Sequence, residues 1–459
     1  RKNHTPMAFN DRIISIDFGN SYCKVGLRHE KDGASALLRD GGFNLDDGNF
    51  CIPTIIGQRE KDGLFRYGTS VFEEGAGVHV YRNWKPLFFE DSMEASQDSL
   101  RNALRADGHD VEELALGYFS WLRRQVAPIC RQEFGISDPS EIPARITLPA
   151  FGNVSGAREK LEALLEESGW NLADVGQAIP EPVANAIGTF SQGRNAVWNP
   201  PQPGSRPQDR DAGTQVFPHY GRMFEGSPLL WAMQAQAKEL MEESIHWVLV
   251  ADLGGYTLDF AMLGFNLEDV EDLDRTFSPD SPVSDPPRFA RLSYPFGVMD
   301  LDQMVYDVLP DDQQNAFRVM MSDVDQRRLE TFHRRFYRHF QPMRVGRTEI
   351  GGGSEIDTVK DAVDSFNHRI QELAQTFLDT YQFPKVHQLV LTGGGSNIPG
   401  VRRALIDQLE PDFTHGARNE EKPEKEEFLP TKYMELTHNE VRGATATGGT
   451  NVYFEFLAS

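Results

Sequence analysis

The order of apolar and polar residues along the chain predicts an α/β protein. Three apolar segments, at residues 12–28, 246–263 and 386–409, each run into a polar turn that contains glycine. In the first two segments an apolar stretch resumes after the turn, which predicts a β-hairpin in each half of the chain. In the third, a triple glycine separates a strand pattern from a helical pattern that begins near Ile398.

The stretch between the two hairpins predicts strands that alternate with helices. ARITLPAFGN predicts a strand that ends at Pro149, and AIPEPVANAIGTF predicts the end of a strand that leads into a helix. Between them lies a helical pattern whose apolar residues share one face, namely Ala157, Leu161, Leu164 and Leu165. A longer amphipathic helix at residues 359–381 leads to the third glycine turn. This alternation is typical of α/β folds.

Three polar segments predict surface insertions or linkers. Residues 191–228 are rich in proline and glycine, and residues 266–288 combine acidic residues with prolines. Residues 419–427 form a solvated charge run. We expect each of these segments to project from the core.

The charge of the chain limits what it can bind. A formal net charge of -23 disfavours loose binding to nucleic acid or to an anionic membrane, because both are negative. A phosphate ligand would therefore need backbone amides, a lysine or a divalent cation at a dedicated site. We expect no direct nucleic-acid partner and no membrane partner.

The cysteines indicate the compartment. Cys23, Cys51 and Cys130 are too few and too scattered for a disulfide framework or a cysteine-based zinc site. We expect buried thiols in a reducing interior, and no apolar run is long enough for a membrane span or a signal peptide. These features predict a cytoplasmic protein, with residues 1–10 as a disordered lead.

The glycine turns suit phosphate chemistry. A hairpin turn of small residues presents several backbone N–H groups to one point, where they can hold an anion. If the two hairpins face each other, Asp17 and Asp252 at their strand ends can converge on Mg²⁺, and Ser21 and Thr257 add hydroxyl donors. Each motif alone is more often an ordinary turn, so the argument depends on their combination and order.

Five segments in this order resemble the phosphate, connecting and adenosine motifs of the superfamily of actins, sugar kinases and heat-shock ATPases. They are IDFGNSYCKVG, ITLPAFGN, IPEPVANAIG, DLGGYTLD and LTGGGSNIPGVRRAL. The resemblance is closest to the nucleotide-binding domain of the DnaK-type, seventy-kilodalton heat-shock chaperones, and FGVMDLDQMVYDVL and NEVRGATATGG extend it. It implies a two-lobed actin-like ATPase fold in which each lobe is a ribonuclease-H-like mixed sheet with flanking helices. The implied parts are lobe I at 11–190, an insertion at 191–245, lobe II at 246–438, and a closing helix with a short tail at 439–459.

The resemblance also implies a site for ATP or ADP with Mg²⁺, in which Asp17 and Asp252 hold the metal through waters. The residues implied in catalysis are Glu181, Lys85, Asp252 and Thr257. The residues implied in nucleotide binding are Asp17, Gly19, Asn20, Ser21, Gly254, Gly255, Tyr256, Gly393, Gly394, Gly395 and Ser396. Glu181 matches the acid that helps to position the attacking water, and Lys85 matches the catalytic lysine with one inserted residue. An exposed surface lysine is the alternative interpretation of Lys85.

The chain departs from the chaperone pattern at two positions. Tyr256 stands where the family has a third glycine, and it would be strained if the turn needs a positive φ there. Plasmid actin-like proteins of the ParM type are similar at this point, since they also have a non-glycine residue. Asn397 replaces an arginine that contacts adenine, which leaves the glycine turn itself as the candidate contact with adenosine.

Residues 327–344 interleave arginines with aromatic residues. Alone this pattern could indicate RNA binding, but the acidic chain and the helical spacing of the aromatics favour a packed helix with its arginines outward. Its position resembles the family helix beside adenine, which makes Arg334, Arg335 and Arg338 candidates for contacting the nucleotide.

Four functions follow from these patterns. The preferred one is a heat-shock-like, Mg²⁺-dependent ATPase that acts as a conformational switch through a protein partner or client, because about ten residues after the closing helix leave no room for a peptide-binding domain. A filament-forming actin-like cytoskeletal or DNA-segregation ATPase, which self-assembles, is the alternative that LGGYTLD and Lys24 favour. A small-molecule kinase would need an acceptor base, for which we find no pattern. A nucleotide sensor that does not hydrolyse ATP also stays open.

Overall fold

The computed structural model describes residues 12–28, 35–38, 50–72, 77–89, 96–151, 155–172, 178–191, 246–265, 289–321, 326–398, 400–417, 432–436 and 438–450. The predicted lead at 1–10, the insertion from residue 192 to 245, the segment 266–288 and the charge run at 419–427 lie outside these residues.

The strands of the described residues are β1 (Ile13–Phe18), β2 (Tyr22–Arg28), β3 (Ser35–Leu37), β4 (Ile52–Pro53), β5 (Ile56–Arg59), β6 (Phe65–Tyr67), β7 (Val78–Tyr81), β8 (Ala144–Leu148), β9 (Ile179–Pro180), β10 (His246–Leu253), β11 (Leu258–Phe265), β12 (Phe289–Tyr294), β13 (Met343–Val345), β14 (Thr348–Ile350), β15 (Gln388–Thr392), β16 (Phe413–Ala417) and β17 (Lys432–Leu436). The α-helices are α1 (Ser96–Ala106), α2 (Val111–Phe134), α3 (Ser155–Glu167), α4 (Glu181–Ser191), α5 (Val298–Val308), α6 (Asp311–Met321), α7 (Gln326–His333), α8 (Glu355–Tyr381), α9 (Val401–Leu409) and α10 (His438–Gly448).

The first mixed sheet is built on the predicted hairpin of β1 and β2. Its order is β3-β2-β1-β8-β9, with β4 also paired to β2. The β1, β2 and β3 strands are antiparallel neighbours, whereas β1, β8 and β9 are parallel. Every residue of β1 is buried, as expected for a central strand that is covered on both faces.

The second mixed sheet repeats this arrangement. Its order is β12-β11-β10-β15-β16-β17, and it too has three antiparallel strands followed by parallel ones. The hairpin of β10 and β11 therefore occupies the same place as that of β1 and β2. The α/β class predicted from the sequence is confirmed.

The helices α4 and α10 join the two sheets. They pack against each other; α4 contacts strands β8 to β12, and α10 contacts β1, β2, β3, β15 and β16. A Cβ atom at Gly188 would overlap the carbonyl oxygen of Ala444, and one at Gly448 would overlap that of Ala184. Glycine at these positions lets the two helix backbones approach closely.

The helix patterns are largely confirmed. The four apolar residues predicted on one face of α3 are buried, and α8 covers the predicted amphipathic segment. The helix expected to start near Ile398 begins instead at Val401, after a 3₁₀ turn at Gly394–Asn397. The reason is Pro399, because the residue before a proline avoids the helical region, and Ile398 is extended with ψ of 136°.

The arginine-rich segment is a packed helix, as predicted. The helix α7 continues into a π-turn at Arg334–Arg338, and Phe332, Phe336 and Tyr337 are completely buried in the core of the second sheet. The arginine side chain described within this turn, Arg335, is exposed. The side chains of Arg334 and Arg338 lie outside the described part of the structure.

The three cysteines lie within the described residues as buried thiols outside any disulfide, which confirms the predicted core thiols. Within the described ranges, every helix is either too short or too polar to cross a membrane.

Candidate functional site

The turns that follow β1 and β10 touch each other. A Cβ atom at Gly255 would lie 2.9 Å from Ser21 Oγ and 3.6 Å from Asn20 Nδ2. The start of α5 holds the second turn, since Val298 N donates to Gly254 O at 3.1 Å and Met299 N donates to Gly255 O at 2.9 Å. The two predicted phosphate turns are therefore brought together, and the missing side chain at Gly255 lets them meet.

Asn20 in the first turn is fixed by a residue that the sequence analysis missed. Its Nδ2 donates to Asn83 Oδ1 at 2.9 Å and contacts Met299 Sδ at 2.7 Å. Asn83 has a φ of 56°, a left-handed conformation that asparagine tolerates better than most residues. The carbonyl oxygen Oδ1 of Asn20, in contrast, is buried without a hydrogen-bond partner among the described residues, and it is thus available as an acceptor.

Three segments, β1, α4 and β10, bring acidic side chains to these turns. Asp17 and Glu181 are almost fully buried, at 4% and 6% exposure. Burial raises the pKa of Glu181 to about 7, although Lys85 opposes this shift and Asp17 adds to it. Burial likewise raises the pKa of Asp252 to about 6, opposed by Lys24 and reinforced by Asp17. Asp17 therefore lies within electrostatic range of both Glu181 and Asp252.

Two lysines balance this negative charge: Lys85 is buried, and the side chain of Lys24 is 18% exposed. Lys85 is 2% exposed, its Nζ lies 2.6 Å from Glu181 Oε1, and it lies over the ring of Phe18 at 5.8 Å. The alternative interpretation of Lys85 as an exposed surface residue is therefore wrong. Lys24 Nζ lies 2.9 Å from Asp17 Oδ2, and this carboxylate raises the pKa of Lys24 against the opposing effect of burial.

The helices between the sheets position Asp252. Its Oδ2 accepts from Asn185 Nδ2 at 2.7 Å and from Thr445 Oγ1 at 3.3 Å. Asn185 Oδ1 in turn accepts from Thr392 Oγ1, at the end of β15, at 3.0 Å. The strand-end acid is thus fixed from α4, α10 and β15 together. Asn185 belongs to the motif PEPVANA, but its hydrogen bond to Asp252 becomes visible only once α4 is packed against the second sheet.

Thr257 contacts a further buried acid, Asp259, which was not predicted as a site residue. Thr257 Oγ1 donates to Asp259 Oδ2 at 2.8 Å, and Ser293 Oγ donates to Asp259 Oδ1. Burial raises the pKa of Asp259 well above its usual value, and Glu181 and Asp252 raise it further. The network continues into the first sheet, because Ala150 N donates to Ser293 Oγ at 2.6 Å.

Tyr256 is not strained. Among the described residues, positive φ angles outside glycine occur at Asn83, Phe340, Gln382 and Glu410, so the turn places no such demand on Tyr256. Its side chain is 7% exposed and lies in the core of the first sheet, with ring centroids 6.3 Å from Phe89 and 6.0 Å from Phe151. Because the ring is buried, a nucleotide could contact Tyr256 only through its backbone atoms.

The third glycine turn lies beside Asp252. Gly393 has a φ of 80°, and a Cβ atom there would overlap Asp252 Oδ1 and the backbone of Leu253. Gly395 packs on Leu253 in the same way, and Ser396 Oγ donates to Gly393 O at 2.8 Å. The turn is fixed to α10 by the bond from Gly393 N to Val441 O at 2.8 Å.

The neighbours of this third turn differ from the pattern expected for adenine. Asn397, at the position where the chaperones have an arginine, is exposed. Gly394 instead faces the guanidinium of Arg442, since a Cβ atom there would lie 3.9 Å from Arg442 Nη2. Among the predicted site residues of the third turn, Gly393 therefore contacts Asp252, whereas Gly394 faces the positively charged guanidinium of Arg442.

The side chains at these turns suit a Mg²⁺ ion that is held partly by the protein and partly by the phosphate oxygens of a bound ligand. No three His, Cys, Asp or Glu side chains in the described ranges are arranged to bind one metal ion together. Mg²⁺ typically takes only one or two protein carboxylates and completes its shell with waters and phosphate oxygens. Asp17 and Asp252 could supply these two carboxylates, and Asn20 Oδ1, which has no hydrogen-bond partner among the described residues, could accept from a water of the metal.

Comparison with known proteins finds no matching protein-family model and no matching curated protein.

Proposed function

We propose that this chain is a Mg²⁺-dependent ATP-binding protein that hydrolyses ATP within a two-lobed actin-like fold. The observation that carries the proposal is the meeting of two equivalent hairpin turns beside a buried cluster of acids and lysines. Each turn follows the central strand of its own sheet, and Asp17 and Asp252 lie at the ends of these strands.

The shared strand order supports the two lobes. Both sheets have three antiparallel strands followed by parallel ones, which is the ribonuclease-H-like arrangement implied by the resemblance. Each sheet has its own hydrophobic core. The α4 and α10 pair would form the joint between the lobes, since it contacts both sheets.

The chemistry of the cluster suits a metal-bound triphosphate. Lys24, Lys85 and the hydroxyl of Ser21 are donors for phosphate oxygens, and Asp17 and Asp252 would hold Mg²⁺ through waters. The bound metal would neutralise charge on the phosphates, which is the main requirement of phosphoryl transfer.

Glu181 is suited to orient a water and accept its proton. A general base works best when its pKa is close to the working pH, and burial raises the pKa of Glu181 to about 7. Lys85 keeps this carboxylate in place through their ion pair of 2.6 Å.

The proposal includes a cellular role, which rests on the resemblance. A heat-shock-like ATPase would convert closure on ATP and opening after hydrolysis into a signal for a protein partner. The buried cysteine thiols suit a reducing compartment such as the cytoplasm. Filament formation is the competing role, and sedimentation with and without ATP distinguishes the two.

Calorimetric titration with ATP and ADP tests the binding site. We expect binding at micromolar or lower concentration that needs Mg²⁺ and weakens at least about tenfold in Asp252→Ala, because one carboxylate for the metal is lost. Asp361→Ala, which removes an exposed acid from α8, is the matched control. Absence of binding by the wild type, or equal binding by Asp252→Ala, contradicts the proposal.

A nucleotide sensor without turnover is the second candidate, and one observation favours it. Lys85 and Glu181 are paired to each other, so both catalytic candidates are already engaged. Single-turnover phosphate release separates the candidates. An ATPase should turn over in the wild type and slow at least about tenfold in Glu181→Ala while binding persists, whereas a sensor should release no phosphate.

A further inference from the structure

The turn of the second sheet inserts an aromatic ring into the core of the first. Tyr256 lies between Gly255, which touches the first turn, and Thr257, which contacts Asp259. Its ring packs with Phe89 and Phe151, and these two rings also pack on each other at 5.5 Å. Three rings from three separate segments form one cluster, which we call the aromatic latch.

The latch reaches the segment that carries Lys85. Phe89 ends the 3₁₀ turn Lys85–Phe88, and its backbone N donates to Pro86 O at 2.9 Å. Both Lys85 and Phe89 are buried. Because so few residues separate them, a displacement of the Phe89 ring would also move the backbone that supports Lys85.

The latch also reaches the loop after β8. Phe151 follows Ala150, whose backbone N donates to Ser293 Oγ in the second sheet. The opposite side of the Tyr256 turn is closed by Gly297, where a Cβ atom would lie 2.6 Å from Gly255 O and 2.7 Å from the carbonyl carbon of Tyr256. The turn is thus held between the start of α5 and the latch.

We propose that Tyr256 is a positioning residue that fixes the 254–257 turn relative to Lys85. Withdrawing the second turn from the first sheet would pull a buried ring out of its aromatic contacts. Aromatic pairs at these centroid distances contribute more than their buried area alone. The ring therefore fixes the position of the glycine turn relative to Lys85 and Glu181, and it slows the movement of this turn away from them.

A consequence for turnover rests on the proposed function. If nucleotide binds between the turns, the latch opposes the opening that releases product, and product release limits turnover in many enzymes with closing parts. The latch would also keep Lys85 aligned for the chemical step.

The test compares Tyr256→Ala, Tyr256→Phe and Tyr381→Ala. Tyr381 is the matched control, because it packs on Phe377 at 5.2 Å and Phe383 at 5.9 Å within the second core, away from the turns. The first readout needs no nucleotide. It is the rate at which an acetylating reagent modifies Lys85, measured by mass spectrometry.

We expect Lys85 to react at least about tenfold faster in Tyr256→Ala, because loss of the ring frees its segment. Tyr256→Phe should restore most of the protection, since it keeps the ring, and Tyr381→Ala should leave the Lys85 rate near that of the wild type. An unchanged rate in Tyr256→Ala, or a Tyr256→Phe variant as reactive as Tyr256→Ala, overturns the proposal.

The second readout follows a fluorescent ADP analogue and ATP turnover. Tyr256→Ala should release the analogue about tenfold faster, and its single-turnover rate of ATP hydrolysis should fall because Lys85 is no longer aligned, whereas Tyr381→Ala should change neither. A wild type that binds no analogue but needs Tyr256 to protect Lys85 would refute the proposed function and leave the latch standing. If the wild type binds nucleotide but Lys85 reacts equally fast in the wild type and in Tyr256→Ala, the proposed function stands and the role of the aromatic latch is refuted.

Discussion

Glu181 and Lys85 form a buried ion pair in which each side chain compensates for the desolvation of the other. Burial raises the pKa of Glu181 from 4.5 to about 7 even though Lys85 favours its charged form. The folded state thus holds the proton of Glu181 more tightly than the unfolded chain does. The stability that this contributes is complete below about pH 4.5 and is lost as the pH rises through about 7.

Glu181→Gln should make this pH dependence visible. The amide cannot titrate, so the stability deficit of the variant relative to the wild type should shrink as the pH rises from about 4.5 to about 7. Urea unfolding across this range measures the deficit. The exposed Glu166→Gln on α3 is the control for loss of one acidic residue, and a deficit that grows with pH would contradict the assignment.

At the scale of single residues, the sequence could predict the position of those candidate residues that a local pattern identifies. Asp17, Asp252 and the glycines follow apolar strands, so their place at a strand end can be read from neighbouring residues. Asn83 and Thr445 could not be predicted, because their partners lie far away in the chain at Asn20 and Asp252.

The contact of α4 with α10 depends on glycines. Gly188→Ala would place a Cβ atom into the carbonyl of Ala444, which is backbone and cannot rotate away. We expect a loss of about 1–3 kcal/mol in the free energy of unfolding, the usual range for overpacking. Chemical denaturation measures it.

Gly156→Ala is the matched control for this substitution. Gly156 lies in α3, and a Cβ atom there would meet nothing within 4 Å. Because alanine favours the helix over glycine, this variant should be equally stable or more stable by up to about 1 kcal/mol. Similar losses in both variants would show that the α4 and α10 contact is not the cause.

At the scale of elements, periodicity predicted which segments form strands and helices but not how their ends behave. The delayed start of α9 follows from Pro399, a local signal that the apolar pattern alone overlooked. The burial of Tyr256 is different, because its neighbours Phe89 and Phe151 are supplied by distant segments. No local pattern identifies that cluster.

At the scale of the whole molecule, the pair of helices α4 and α10 is the joint between the hydrophobic cores of the two sheets, because it contacts strands of both. The hairpin predicted in each half of the chain is confirmed, and in each sheet three antiparallel strands are followed by parallel ones. The sequence could not predict that Asn185 would bond Asp252 of the second sheet at 2.7 Å, since this depends on how α4 docks.

We expect the two cores to unfold together because of this joint. Cys130 is buried in the first core, and the second half of the chain contains no cysteine, so thiol labelling in urea reports the first core alone. Its midpoint should coincide with that of the circular dichroism of the whole chain, as for a cooperative transition. Two separate midpoints would show that the halves unfold independently.

The bond from the Ala150 amide to Ser293 has a practical consequence. The amide hydrogen of Ala150 is donated across the boundary between the two sheets, so it can exchange with deuterated solvent only when this bond breaks. Its protection factor therefore measures how often the boundary comes apart, and a bound ligand that keeps the halves closed should slow its exchange without altering amides inside either sheet. A single backbone hydrogen could in this way report the opening of the molecule.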